Sequence, residues 1–381
     1  MTHDDLGTGP AATALYEMVL ARGTGDWAKA HAAAKAMAAQ PITGNAEFAN
    51  LYRGAPAVAY VLHTAGHRAY ARALAELNAE VVAIVAHRLG AAHRRMDTGL
   101  PPRLREYDLI SGLTGLGAYL LHCELDRALE AVLQYLVRLL TEPLVVDGHP
   151  VPGWWAATGP SDTPEPAEFV HGHANFGVAH GVAGPLALLA LARRAGHTVD
   201  GQDDALAAGI THLTTWAQPL KGGGTGWPEC LPLDAYQRGP EPDAAPARAS
   251  WCYGTPGIAR ALQLAALALN DDTARHLAEH TALQAATDPR HTGQIVDTSL
   301  CHGWAGLVLT TERIAADAAL PGFHDALPAL RDRLATETRH HPAPEHTGLL
   351  TGAPGVLLAL HTLTTVRPVV PEWETCLLLI P

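Results

Sequence analysis

Apolar residues recur at helical spacing along 12–21, 27–39 and 69–95, and the last run is long enough for one extended helix. Elsewhere a short motif punctuates the chain: a glycine, then a second glycine or small residue three positions later, then an apolar stretch. Copies begin at Gly54 (Gly-Ala-Pro-Ala57), Gly112 (Gly-Leu-Thr-Gly115), Gly181 (Gly-Val-Ala-Gly184), Gly254 (Gly-Thr-Pro-Gly257), Gly303 (Gly-Trp-Ala-Gly306) and Gly352 (Gly-Ala-Pro-Gly355). Stretches such as 186–192 and 356–363 therefore predict helices that start at the motif, where a proline in the first turn loses no hydrogen bond. The second glycine costs up to about 1 kcal/mol inside a helix, and close approach of neighbouring backbones explains why it is kept.

Successive first glycines lie 49 to 73 residues apart, room for two helices per repeat with loops of variable length. Repeating helical hairpins either stack into an open solenoid or close on themselves. The uneven period, with reactive side chains gathered in the middle copies, favours closure. The expected fold is all-α, an α/α toroid formed as one domain over residues 1–381, with the motif-bearing helices as inner ring and their N-termini at one mouth. Two insertions rich in glycine and proline, 145–174 and 221–249, predict loops or short hairpins. Their tryptophans (Trp154, Trp155, Trp227) either line a peptide-binding surface or pack the loops onto the helices.

Composition agrees: 48 % of residues are hydrophobic and 17 % charged, and phenylalanine is scarce, which suits packed Ala/Leu helices. A balance of 26 basic and 38 acidic residues, net −12, with no basic stripe argues against nucleic acid as a partner. The N-terminal sequence lacks a basic, then apolar, signal, and no apolar run is long enough for a transmembrane segment, so a cytoplasmic location is expected. Five cysteines in such a chain are expected to stay reduced. Cys123, Cys230 and Cys376 have no partner at metal-ligand spacing and read as buried or incidental thiols.

Aligning the copies on the first glycine places Tyr52, Ile110, Ala179, Cys252, Cys301 and Leu350 two residues before it. Arg53, Ser111, His180, Tyr253, His302 and Thr351 stand one residue before it. In a closed ring both positions face one central space, so Cys252, Cys301, His302 and His180 converge. Adjacent residues do not share a helix face, so Cys301 and His302 can act on one metal only from a non-helical turn. Two thiolates and an imidazole are zinc-type ligands, and three protein ligands leave a fourth position open, the arrangement of a catalytic site. The competing reading is two core thiols and a hydrogen-bonded histidine.

Arg248 to Gly257, Cys301-His302-Gly303, Ala179-His180-Gly181 and Tyr107-Asp108-Leu109-Ile110-Ser111-Gly112 resemble the motifs of the lanthionine synthetase C-like family, the lantibiotic cyclases, and the resemblance covers nearly the whole chain. It implies an α/α toroid around one zinc ion (Zn2+), and addition of a peptide cysteine thiol to dehydroalanine or dehydrobutyrine to close thioether rings. It implies Cys252, Cys301 and His302 as zinc ligands and places Asp108, His180, Arg248 and Tyr253 around the reaction centre. The implied partners are a dehydrated precursor peptide as substrate, and a dehydratase and an exporter in a biosynthetic complex. The chain departs from the pattern in two respects. Ala57 replaces the second glycine of the first copy, and six copies stand where the family's ring has seven hairpins.

The side chains suit this chemistry. Attack on the alkene builds enolate charge, and the α-carbon then needs a proton. His180 is the candidate acid, with Asp108 to orient it and raise its pKa. Arg248 either stabilises developing negative charge or anchors a loop on a carboxylate. Tyr253 either hydrogen-bonds near the metal or only packs. His171 and His173 read as loop structure, and His340 and His341 as surface residues. Rival readings are a non-catalytic toroid that holds peptides or thiols, and another thiol-alkylating zinc toroid such as a protein prenyltransferase subunit. The latter resemblance uses an Asp-Cys-His ligand set and a basic pocket for pyrophosphate.

Overall fold

The computed structural model describes residues 4–160, 167–341, 346–365 and 371–380. Residues 1–3 of the N-terminal sequence, and 161–166 of the first insertion, lie outside them.

The chain folds as a succession of helical hairpins. They are α1 (Ala11–Thr24) with α2 (Ala28–Met37), and α3 (Ala55–Ala65) with α4 (Ala71–Asp97). After the short α5 (Leu104–Tyr107) come α6 (Leu113–His122) with α7 (Asp126–Thr141), then α8 (Ala183–Arg194) with α9 (Gln202–Thr215). The short α10 (Leu233–Arg238) precedes α11 (Thr255–Leu269) with α12 (Asp272–Thr287). The short α13 (Pro289–Thr292) precedes α14 (Trp304–Asp317) with α15 (Gly322–His340), and α16 (Ala353–Thr364) follows. The two helices of each hairpin differ in pattern. On α7 the buried residues Leu129, Val132, Leu133, Leu136, Leu139 and Leu140 form one stripe, the mark of a helix with a solvent face. On α8 every residue from Ala183 to Ala192 is buried, as an inner helix requires.

The inner helices α1, α3, α6, α8, α11, α14 and α16 pack in that order, and α16 packs against α1. The architecture is the expected α/α toroid, and it closes. A circuit of backbone hydrogen bonds runs through the loops ahead of these helices. Leu109 N–H donates to Ala179 O (3.1 Å), Val178 to Cys252 (2.9 Å), Cys252 to Cys301 (3.2 Å), Cys301 to Leu350 (2.8 Å), Leu350 to Gly7 (3.1 Å), and Leu6 to Tyr52 (2.7 Å). Between the Tyr52 and Ser111 loops the link is a side chain: Arg88 of α4 donates to the carbonyl oxygens of Ala46 (2.6 Å), Ala49 (2.8 Å) and Ser111.

This circuit identifies the seventh member of the inner ring, α1. Gly7 stands where the other loops place the residue two before the first glycine, so Gly9-Pro10-Ala11-Ala12 is a seventh, degenerate copy that opens α1. The reason for the second glycine is also sharper than backbone crowding between neighbours. A Cβ on Gly257 would lie 1.9 Å from the carbonyl oxygen of Trp251, and one on Gly306 1.9 Å from that of Leu300. The glycine lets each helix start against the carbonyl six residues earlier in its own loop.

The insertions form small antiparallel pairs: β1 (Leu144–Val146) with β2 (His149–Val151), β3 (His173–Asn175) with β6 (Cys230–Pro232), and β4 (Gln218–Pro219) with β5 (Thr225–Gly226). Trp154, Trp155 and Trp227 are buried, so packing is their role. The centre of the ring is filled by residues 373–379. Tyr60 Oη donates to Trp373 O (2.8 Å), Tyr52 Oη to Cys376 O (2.5 Å), Trp251 Nε1 to Leu377 O (3.0 Å) and Arg260 Nη2 to Leu379 O (2.7 Å). Of the thiols read as buried or incidental, Cys376 is a fully buried part of this plug, Cys123 is buried at the end of α6, and Cys230 is half-buried.

Candidate metal centre

Cys252 and the Cys301-His302 pair lie on adjacent loops of the circuit, outside any helix, each followed by the glycine that starts an inner helix. Their three candidate ligand atoms all fall within 4.8 Å of one another, and Cys252 is buried while Cys301 and His302 are half-buried. His302 Nε2 lies 3.1 Å from Asp297 Oδ2, so Nδ1 is the nitrogen that the neutral ring would offer to a metal. Asp297 Oδ1 accepts in turn from the Ser299 amide (2.8 Å). Burial alone would raise the Asp297 pKa, but the hydrogen bonds from His302 and Ser299 hold it well below the usual carboxylate range. The hydrogen bond to Asp297, followed by one to Cys252, pushes His302 up to about 9. A hydrogen bond from Cys301, reinforced by His302 and opposed by burial, lowers the Cys252 pKa, while Cys301 is pushed up beside it. Two sulfurs and an imidazole oriented by a carboxylate fit a borderline-soft cation such as zinc.

The next loop of the circuit carries His180. Its Nδ1 is 2.6 Å from Oδ2 of the buried Asp108, whose Oδ1 accepts from the Ser111 amide (2.6 Å). Val178 and Ala179 both donate to the Cys252 carbonyl (2.9 and 3.2 Å), which ties the His180 loop to the metal loop. Tyr253 lies between the two sites, its ring centroid 6.0 Å from that of His180. Burial raises its pKa. Asn175 Nδ2 donates to Tyr253 Oη (3.3 Å) and lies 3.3 Å from His173 Nε2, while His173 Nδ1 reaches Thr158 O (2.6 Å). His173 is thus structural, as expected, though it sits on β3 and not in a loop, and it contacts Asn175, which in turn bonds Tyr253. His171 pairs loosely with Asp147 (3.6 Å), and His340 and His341 are exposed, as expected.

Arg248 is half-buried. No carboxylate lies within ion-pair distance of it among the described residues, and its buried Nε has no hydrogen-bond partner, so it does not anchor a loop on a carboxylate. Its charge lowers the pKa of Cys301 and of Glu229. Glu229 is itself raised overall, by burial and then by Cys252. Asn175, Glu229 and Asp297 are not among the candidates expected from the sequence, and for two of them the signal is present. Six residues before the first glycine stand Asn175, Arg248 and Asp297, so the register that aligns Cys252 with Cys301 also aligns these three.

The sequence matches the family described as "Lanthionine synthetase C-like protein" over residues 1–378. It is 27 % identical over 262 residues to the nisin biosynthesis protein NisC of Lactococcus lactis subsp. lactis, a match covering 68 % of this chain and 60 % of that protein's length. Among solved structures, nisin cyclase superposes with a TM-score of 0.80 at 23 % identity, over 98 % of this chain and 92 % of that one.

Proposed function

The chain belongs to the lanthionine synthetase C-like family, and from that premise we propose that it is a zinc-dependent lanthipeptide cyclase. It adds cysteine thiolates of a dehydrated precursor peptide to dehydroalanine or dehydrobutyrine, forming (methyl)lanthionine rings. The supporting observation is the convergence of Cys252, Cys301 and His302 on one point, next to a loop that holds a histidine–carboxylate pair. Cys252, Cys301 and His302 would hold the zinc, which when bound makes a substrate thiol available as thiolate near neutral pH.

The remaining work falls to this chain's own side chains. As the sulfur–carbon bond forms, the alkene electron pair moves onto the adjacent carbonyl oxygen. In this reading Arg248, with no carboxylate paired to it among the described residues, stabilises that charge. Tyr253 accepts from Asn175 and so keeps its own phenolic hydrogen to donate. Asp108 holds the Nδ1 hydrogen of the His180 imidazolium, which fixes the ring so that Nε2 delivers its proton to the α-carbon, and the proton given up by the thiol restores the imidazolium for the next turnover. The thiol loses one proton and the α-carbon gains one, so the addition consumes no external acid.

The test mixes the protein with a dehydrated cysteine-containing peptide, alkylates free thiols and weighs the product. Thiols protected by the wild type and left free by His180→Ala support the reading. Ring formation and full zinc content in Cys301→Ala would defeat the site assignment. Thiols left free by a zinc-loaded wild type, with the peptide bound, would point to a holding protein instead.

A further inference from the structure

His180 and Asp108 stand at the end of a cavity of about 1110 Å³, larger than the roughly 300–1,000 Å³ of a small-molecule pocket and so sized for a length of chain. Its walls come from the loop ahead of α3, one face of α4, the segment around α5 and residues 157–160 of the first insertion. The charge there is opposite in sign to that of the protein, which carries −12 overall. Two lining arginines are neutralised: Arg95 pairs with Glu106 (2.8 Å) and Arg105 with Glu47 (3.2 Å). Arg88 spends all three of its nitrogens on backbone carbonyls. The other two have no such partners. Arg103 is exposed, and its side chain has no partner among the described residues. Arg53 is half-buried, and its Nε is buried without a hydrogen-bond partner. Arg53 occupies the same motif phase as His180, Tyr253 and His302, the position that faces the mouth of the ring. At the cavity's edge Phe48 and Leu100 are 56 % and 58 % exposed.

We propose that this cavity binds an acidic, apolar-flanked segment of the peptide substrate, with carboxylates received by Arg53 and Arg103 and apolar side chains resting on Phe48 and Leu100. The inference builds on the reading of His180 as serving a peptide reaction and names the part of the peptide that holds it there. Guanidinium forks match carboxylates in geometry, and unpaired ones in a sheltered cavity gain more from an incoming anion than they lose in hydration. The exposed Phe48 and Leu100 favour a peptide over a small inorganic anion, which has no use for apolar contacts.

The test is fluorescence anisotropy at low salt, using a fluorescein-labelled octapeptide of alternating Glu and Leu and its Gln-for-Glu counterpart. Wild type is expected to bind the Glu peptide about tenfold tighter than the Gln peptide, and about 0.5 M salt to erase most of the difference. The double variant Arg53→Gln, Arg103→Gln should bind both equally while melting at the wild-type temperature, since neither side chain holds the fold together. Equal binding of the two peptides by wild type, or a preference that survives in the folded double variant, overturns the proposal. So does displacement of the Glu peptide by inorganic phosphate at peptide-equivalent concentration. Because the readout is binding, a wild type that binds the Glu peptide yet closes no ring in any dehydrated peptide would sink the cyclase reading and leave this one standing.

Discussion

Asp297 shows how much of the metal centre depends on a residue that would touch no metal. It accepts from His302 Nε2 at 3.1 Å and is itself fixed by the Ser299 amide, so it sets both the tautomer and the tilt of the imidazole. Asp297→Asn keeps the shape but removes the charge, and zinc affinity is expected to fall about 10–100-fold, read by competition with a chromophoric chelator. Unchanged affinity in a variant with a wild-type circular dichroism spectrum would mean that the Cys pair alone positions the ion. The three candidate ligands were legible in the sequence because a repeat register put Cys252 in phase with Cys301. Asn175 and Asp297 obey the same register six residues upstream, but an amide and a carboxylate that touch no metal are less conspicuous there than two cysteines in phase. Glu229 was not legible by register at all. It reaches the site from an insertion, and its neighbourhood to Cys252 and Arg248 exists only once β6 pairs with β3.

At the scale of the element, the glycine motif is a device for starting a helix hard against its own loop, and the loop is what carries the chemistry. At Gly257 any side chain would press on the Trp251 carbonyl, next to Cys252. Gly257→Ala is therefore expected to destabilise the protein by about 1–3 kcal/mol, the usual cost of overpacking, and to weaken zinc binding with it. A thermal melt and a zinc titration read the two effects, and an unshifted melt would show that the loop can retreat. The first copy explains why Ala57 is tolerated where the others need glycine. Gly54 has φ +76°, whereas Gly112, Gly254, Gly303 and Gly352 lie between −84° and −105°, so the chain enters α3 by a different path. The inner helices were readable from sequence because motif and apolar run coincide. The seventh, α1, was readable as a helix over 12–21 but not as a member of the inner ring, because Gly9-Pro10-Ala11-Ala12 departs from the pattern as Gly54 to Ala57 does, and only the hydrogen-bond circuit through Gly7 reveals its phase.

The whole molecule places uncharged histidines in its interior, and this couples its stability to pH away from the metal centre. His212 of α9 is enclosed by Trp154, Phe176, Trp216 and Tyr236, and burial pulls its pKa down to about 4. His122 of α6 bonds Thr64 Oγ1 at 3.1 Å, and burial, then His63 and Arg22, takes it down to about 3. An unfolded chain binds a proton at each of these histidines near pH 6.5, whereas the folded one does not. Their contribution is thus fully present above about pH 6.5 and is lost as pH falls through about 4 for His212 and about 3 for His122. Inside that window each costs up to about 1.4 kcal/mol per pH unit. His212→Phe removes one titrating group and leaves a ring among rings, so its melting temperature should fall less steeply than wild type between pH 6.5 and 4.5. Parallel slopes would show that α9 opens to solvent before the toroid unfolds. That outcome would also separate the insertions packed on His212 from the ring that carries Cys252, Cys301 and His302, whereas a shallower slope is what a single cooperative unfolding of both predicts.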